Sequence, residues 1–224
     1  MRQWIARYAW FVAGIFINSF GIAFITKSAL GTSQISSVPY VLSLKLPPTL
    51  GVFTFVVNMI FILLQVALLR KDFHPLQFLQ ILVNLAFSAF IDVSMNLLSF
   101  FQPQGLPLQL FSLFLGCAIL AFGISVEVAP NALVVPGEGI VKALATVSRK
   151  SFGTVKIYFD VTLIIIASIL SFVFFGHLSG VGLGTVVSAL LVGRLVNLCN
   201  RHIPLIHKIA DLATPAPSVE AIAE

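Results

Sequence analysis

Charge is scarce in this chain. Asp, Glu, Lys and Arg make up 9% of 224 residues, while 58% are hydrophobic; soluble domains carry about 25% charged residues. That balance excludes an ordinary soluble domain. Cysteine is almost absent. Cys117 and Cys199 fall near opposite faces of the expected membrane domain and lack metal-ligand spacing, so neither a disulfide nor a metal centre is expected. The four histidines, His74, His177, His202 and His207, sit in loops or the tail, and the chain has no HExxH, GxSxG or P-loop motif. These absences predict no enzyme, no metal and no cofactor, and they exclude nucleotide-driven transport by this chain alone. Sustained apolar/polar alternation is also missing, which excludes an outer-membrane barrel.

What the chain has is long uncharged runs. Turn-forming clusters in "FQPQGLP" and "FGHLSGVG" split two of them, leaving six spanning helices at 8–26, 50–69, 76–98, 109–128, 153–175 and 179–199, each near the ~20 residues that cross a bilayer core. The first run has 19 uncharged residues, more than the ~7–15 of a signal-peptide core, and is kept as a helix. All Lys and Arg except Lys27 and Lys45 then fall on the side that holds both termini, which predicts cytoplasmic termini by the positive-inside rule. The net charge of +5 belongs to topology; scattered over short loops, it does not point to nucleic acid. The lipid bilayer is the expected partner. Residues 209–224 read as a disordered cytoplasmic tail.

Sliding the chain against itself by 102 positions aligns Gly14 and Gly21 with Gly116 and Gly123, Gly51 with Gly153, Asn58 with Asp160, and Asp92 with Arg194. Two repeats result, about 8–98 and 109–199, within one membrane domain. Three spanning helices per repeat is an odd number, so the second repeat must enter the membrane from the opposite face. The expected fold is an all-α membrane protein of six transmembrane helices, built as two inverted three-helix repeats with short re-entrant or interfacial segments. In such proteins binding sites lie near the midplane, between the repeats. A duplication kept only for packing is the competing reading. The four glycines on the first helix of each repeat are expected to permit close helix contact.

Two stretches, 28–48 and 129–151, occupy equivalent places between the first and second helix of each repeat. Each opens on polar, Gly or Pro residues and continues as an apolar segment too short to span. Irregular backbone at membrane depth is tolerated only where protein or water satisfies it. If these segments dip inward, Pro136 ends the preceding stretch, Gly137 and Gly139 allow close backbone approach and unusual dihedrals, and a helix from about Ile140 aims free N–H groups at an anion. Glu138 is then a ligand or proton carrier, or else an N-terminal cap with Lys142 as its i,i+4 partner. Asp160, about seven residues into its helix, is costly there unless paired or wetted; it is a site residue facing Asn58, or a structural acid paired with Lys156. Glu127 is expected to be exposed at the membrane interface, Asp92 and Arg194 to lie near opposite faces, and Asn84 and Ser88 to join helices.

The segment 151–196, with "VVPGEGIVKAL" before it and "GIAFITKSALGTS" in the first half, resembles the YczE/YyaS/YitT group of bacterial integral membrane proteins. The likeness runs over residues 8–200 and is strongest over 134–196. It implies a bacterial inner-membrane protein of the short YczE type, without the soluble carboxy-terminal domain of YitT-type members, and it implies no molecular activity. The expected function is a secondary transporter for a small solute working around Asn58, Glu138 and Asp160; the alternative is a non-transporting scaffold or regulator of a partner protein. Six helices are few to enclose a two-sided cavity, which makes a homodimer a candidate assembly.

Overall fold

The computed structural model describes residues 2–213, and among them all regular structure is helical. Six helices are long and apolar enough to cross a membrane: α1 (Arg2–Lys27), α3 (Leu50–Leu69), α4 (Gln80–Leu97, preceded by a 3-10 turn at Pro75–Leu79), α5 (Leu106–Val128), α7 (Phe152–Phe175) and α8 (Leu183–His202). Two half-length helices, α2 (Gln34–Lys45) and α6 (Pro136–Ser148), fill the stretches between them, and a short α9 (Pro204–Asp211) follows α8. The protein is therefore membrane-embedded and all-α, as its composition required.

Three boundaries differ most from expectation: the first spanning helix begins at Arg2 rather than at 8. The last spanning helix begins at Leu183 rather than 179, because the Gly and Ser residues from Gly176 to Gly182 form a loop, and it runs on to His202. The start of the expected tail is helical, since α9 buries Ile206 and Ile209; the rest, 214–224, lies outside the described residues.

The helices begin where caps allow. Thr49 accepts a hydrogen bond from the Val52 amide at the start of α3, and Ser151 does the same from Thr154 at the start of α7. These hydroxyls satisfy amides that have no intrahelical partner. At its other end α7 stops on Gly176, whose φ of 72° is the left-handed conformation that glycine adopts without strain. Gln34 and Pro136, like Leu50 and Phe152, stand 102 positions apart, and Gln80 and Leu183 stand 103 apart.

At the centre, α1 and α5 pack antiparallel. A side chain on Gly14 would run into the backbone of Glu127, on Gly21 into Leu120, on Gly116 into Ile25 and on Gly123 into Asn18. The four glycines do permit close helix contact. On either side of this pair, α4 lies against α1 and α8 against α5. One hydrophobic cluster gathers Phe11, Ile15, Phe87, Ile91, Leu113 and Leu120 around α1, α4 and α5. A second gathers Val41, Phe61, Ile140, Val141, Leu163 and Ala167 around α2, α3, α6 and α7. Here α2 packs on α7 and α6 on α3, so each half-length helix is held mainly by a long helix from the other half of the chain. The matching pairs part company at one place: α3 lies along α4, whereas α7 and α8 hardly touch.

Candidate functional site

The half-length helices are packed into the bundle rather than laid on its surface. Ser36, Ser37, Val38, Pro39 and Val41 of α2 are buried, as are Pro136, Gly137, Gly139, Ile140 and Val141 of α6. The hydroxyl of Ser37 donates to the Leu163 carbonyl at 3.5 Å, which sets the start of α2 level with the middle of α7. The start of α6 meets it there: a Cβ on Gly137 would lie 3.1 Å from Cδ1 of Ile35. Each helix leaves this meeting point toward a different end of the bundle, α6 toward the end where α1 begins and α8 finishes (the terminal end) and α2 toward the opposite (distal) end. Two amino termini, each with unpaired N–H groups and a positive dipole end, are thus brought together in the interior.

Pro136 is the first residue of α6, so Gly137 and Gly139 lie within its first turn. Neither has a positive φ. The expectation of unusual dihedrals and a helix start near Ile140 is corrected: what both positions need is space. At Gly139 a Cβ would come within 2.6 Å of Oε1 of Gln65 and 2.8 Å of Oε1 of Gln80. These two buried amides exchange hydrogen bonds of 3.2 Å in each direction, and Gln65 Nε2 also donates to the Pro136 carbonyl at 3.3 Å. A glutamine pair from α3 and α4 therefore locks the first turn of α6 in place. Sequence reasoning missed it, although Gln65 in "FILLQVALL" is a polar side chain deep in an apolar run and was the available signal.

The remaining candidates divide. The Glu138 carboxylate forms no hydrogen bond among the described residues; Lys142 and Lys156 are the cations that face it and Glu127 the carboxylate. Glu127 is 2% exposed and accepts a 2.8 Å hydrogen bond from Nδ2 of Asn18. The expected interfacial exposure is wrong, because the missing side chain of Gly14 lets α1 close over this part of α5. Asp160 pairs with Lys156 at 2.6 Å, one turn away on the same helix, the local partner its sequence context offered. Asn58 instead donates to Asn84 at 2.8 Å, and Asn84 donates to the Phe55 carbonyl at 3.0 Å. No hydrogen bond joins Asn58 to Asp160; the first is tied to α4 and the second to Lys156 on its own helix. Asn84 does join helices, while the buried hydroxyl of Ser88 has no partner. Asp92 fastens α4 to the start of α3, accepting from Thr49 Oγ1 at 2.6 Å and from the Gly51 amide at 2.8 Å.

Two clefts flank α3 and α4. The terminal cleft, about 370 Å³, is floored by Gln65, Gln80 and Gly139 and carries Lys142 and Asp72 on its walls. The distal cleft, about 510 Å³, lies between the ends of α1, α2 and α4 and the start of α3 and includes Lys27, Tyr40 and Asp92. Each cleft sets one lysine and one aspartate in a lining of apolar side chains and a few amides or hydroxyls, with a helix amino terminus adjoining, an arrangement suited to holding a small charged solute. Among known proteins, a family model described as a family of unknown function (DUF6198) matches residues 5–201. No curated protein and no solved structure matches the chain.

Proposed function

The chain belongs to this family of unknown function, DUF6198, and from that premise we propose that it is a secondary transporter for a small solute, built from two inverted repeats that rock about the meeting point of α2 and α6. One observation carries the reading. Two half-length helices end head to head inside the bundle, and each rests on a long helix of the opposite repeat. Discontinuous helices whose amino termini converge between inverted repeats are how such carriers present binding groups at mid-membrane. The 102-residue spacing of helix starts and of the caps Thr49 and Ser151 supports the repeat, and the antiparallel α1/α5 pair supports its inversion. The unequal packing of α3 on α4 and α7 on α8 is what one state of an alternating machine looks like, since the two repeats take opposite roles in turn.

In this reading the terminal end is cytoplasmic in the bacterial inner membrane, because Lys and Arg concentrate there. We read the likeness to the YczE/YyaS/YitT group as kinship within the same membrane class. The test is a thermal-unfolding screen of the detergent-purified protein against small solutes, followed by uptake of each hit into proteoliposomes. A ligand at 100 times its Kd should stabilise the fold by about 2.7 kcal/mol. A hit that also accumulates in vesicles is the expected result. Binding without uptake, or no hit across the library, removes the transporter and leaves a scaffold or regulator of a partner protein.

A further inference from the structure

The two clefts carry the same chemistry at opposite ends of the molecule. At the terminal end Lys142 and Asp72 line one cavity, and at the distal end Lys27 and Asp92 line the other. In neither cleft do the two charges pair: the single ion pair among the described residues is Lys156 with Asp160. An ammonium and a carboxylate that share a small cavity without closing on each other leave a gap that fits a molecule carrying both signs. Asp92 spends two of its acceptor sites on Thr49 and Gly51, and a carboxylate has about four.

The rest of the terminal cleft is uncharged: Leu69, Leu76, Leu133 and Val134 make much of its wall, and glutamine amides supply hydrogen-bonding groups among them. Gln65 has used both its N–H groups on Gln80 and Pro136, while Gln80 keeps one free, and each amide oxygen retains a lone pair. Gln77, on the same wall, has a buried Oε1 with no donor. A volume of about 370 Å³ is at the small end of ligand cavities, roughly 300–1,000 Å³. Size and lining together fit one small solute whose body is partly apolar and meets a few hydrogen-bonding groups.

We propose that the clefts are the two entrances for a small zwitterion of the α-amino-acid class, its carboxylate held by Lys142 or Lys27 and its ammonium by Asp72 or Asp92. Binding at the terminal cleft stands by itself; joining the two clefts into one route rests on the transport reading. Lys27 then has a specific use, as one of only two cations on a face that otherwise lacks them.

The experiment measures protection against thermal unfolding by L-alanine and L-glutamine, with acetate and methylamine as single-charge controls. The amino acids are expected to protect and the controls not. Lys142→Met and Asp72→Asn, both exposed positions that the fold does not rely on, should each weaken binding at least 10-fold, and Lys45→Met, outside both clefts, should leave it unchanged. Equal protection by acetate or methylamine, wild-type affinity in both variants, or no protection by either amino acid overturns the assignment. Amino-acid binding without vesicle uptake keeps the assignment and sinks transport. Uptake of a solute of another class, with no amino-acid binding, does the reverse.

Discussion

Gly139 and Gly153 show how differently two helical glycines can behave. The first faces the Gln65–Gln80 amides at distances that leave no room for a methyl group, and the second faces open space. Gly139→Ala should therefore cost about 1–3 kcal/mol by overpacking, whereas Gly153→Ala should be neutral or gain up to about 1 kcal/mol from helix propensity. Unfolding in detergent reads both. Equal effects would mean that the amide pair does not press on α6. Glu127 poses a second question at this scale. Its partner Asn18 needs an acceptor, not a charge, so Glu127→Gln should hold near wild-type stability. Glu127→Leu leaves a buried amide unsatisfied and should cost about 1–3 kcal/mol. A Gln variant as damaged as the Leu variant would instead assign a role to the charge.

Among the elements, the contrast between α3–α4 and α7–α8 has a cause in four side chains. Asn58 with Asn84 and Gln65 with Gln80 stitch α3 to α4. Moved by 102 positions these become Asp160, Val186, Ala167 and Gly182, which offer no such stitch, and Asp160 turns to Lys156 instead. Asn84→Leu should cost up to about 1.7 kcal/mol, the upper range for interhelical hydrogen bonds in membranes, while Val186→Leu on the unstitched side should cost almost nothing; thermal unfolding of the two variants decides. The six long helices were legible in the sequence, because uncharged runs of that length have few other uses. The half-length helices were legible only as polar openings followed by short apolar tracts, and whether they enter the bundle depended on Ile35, Ser37 and Gly137 meeting partners more than 100 residues away. The Gln65–Gln80 pair was hidden for a similar reason, since nothing in either segment names the other. Glu127 was misjudged because distance from a helix end is a poor guide to burial when a glycine on the facing helix lets the neighbour close in.

For the whole molecule, the packing difference between α3–α4 and α7–α8 is either a fixed asymmetry of a static protein or a snapshot of one state. In an inverted-repeat carrier the second state exchanges the roles of the halves, so α3 and α4 should separate while α7 and α8 close. Leu63 and Leu85, and Ile165 and Val186, are exposed on those four helices and accept spin labels on the lipid side with little effect on packing. In liposomes the 63–85 distance should start short and the 165–186 distance long, and an identified solute should populate a second component in both, shifted in opposite directions. The size of the shift reports the energetics, because a ligand moves a two-state equilibrium only by its difference in affinity for the two states. Distances that stay single and unchanged at saturating solute would show that the asymmetry is built in, and the rocking mechanism would fail even for a protein that binds its solute.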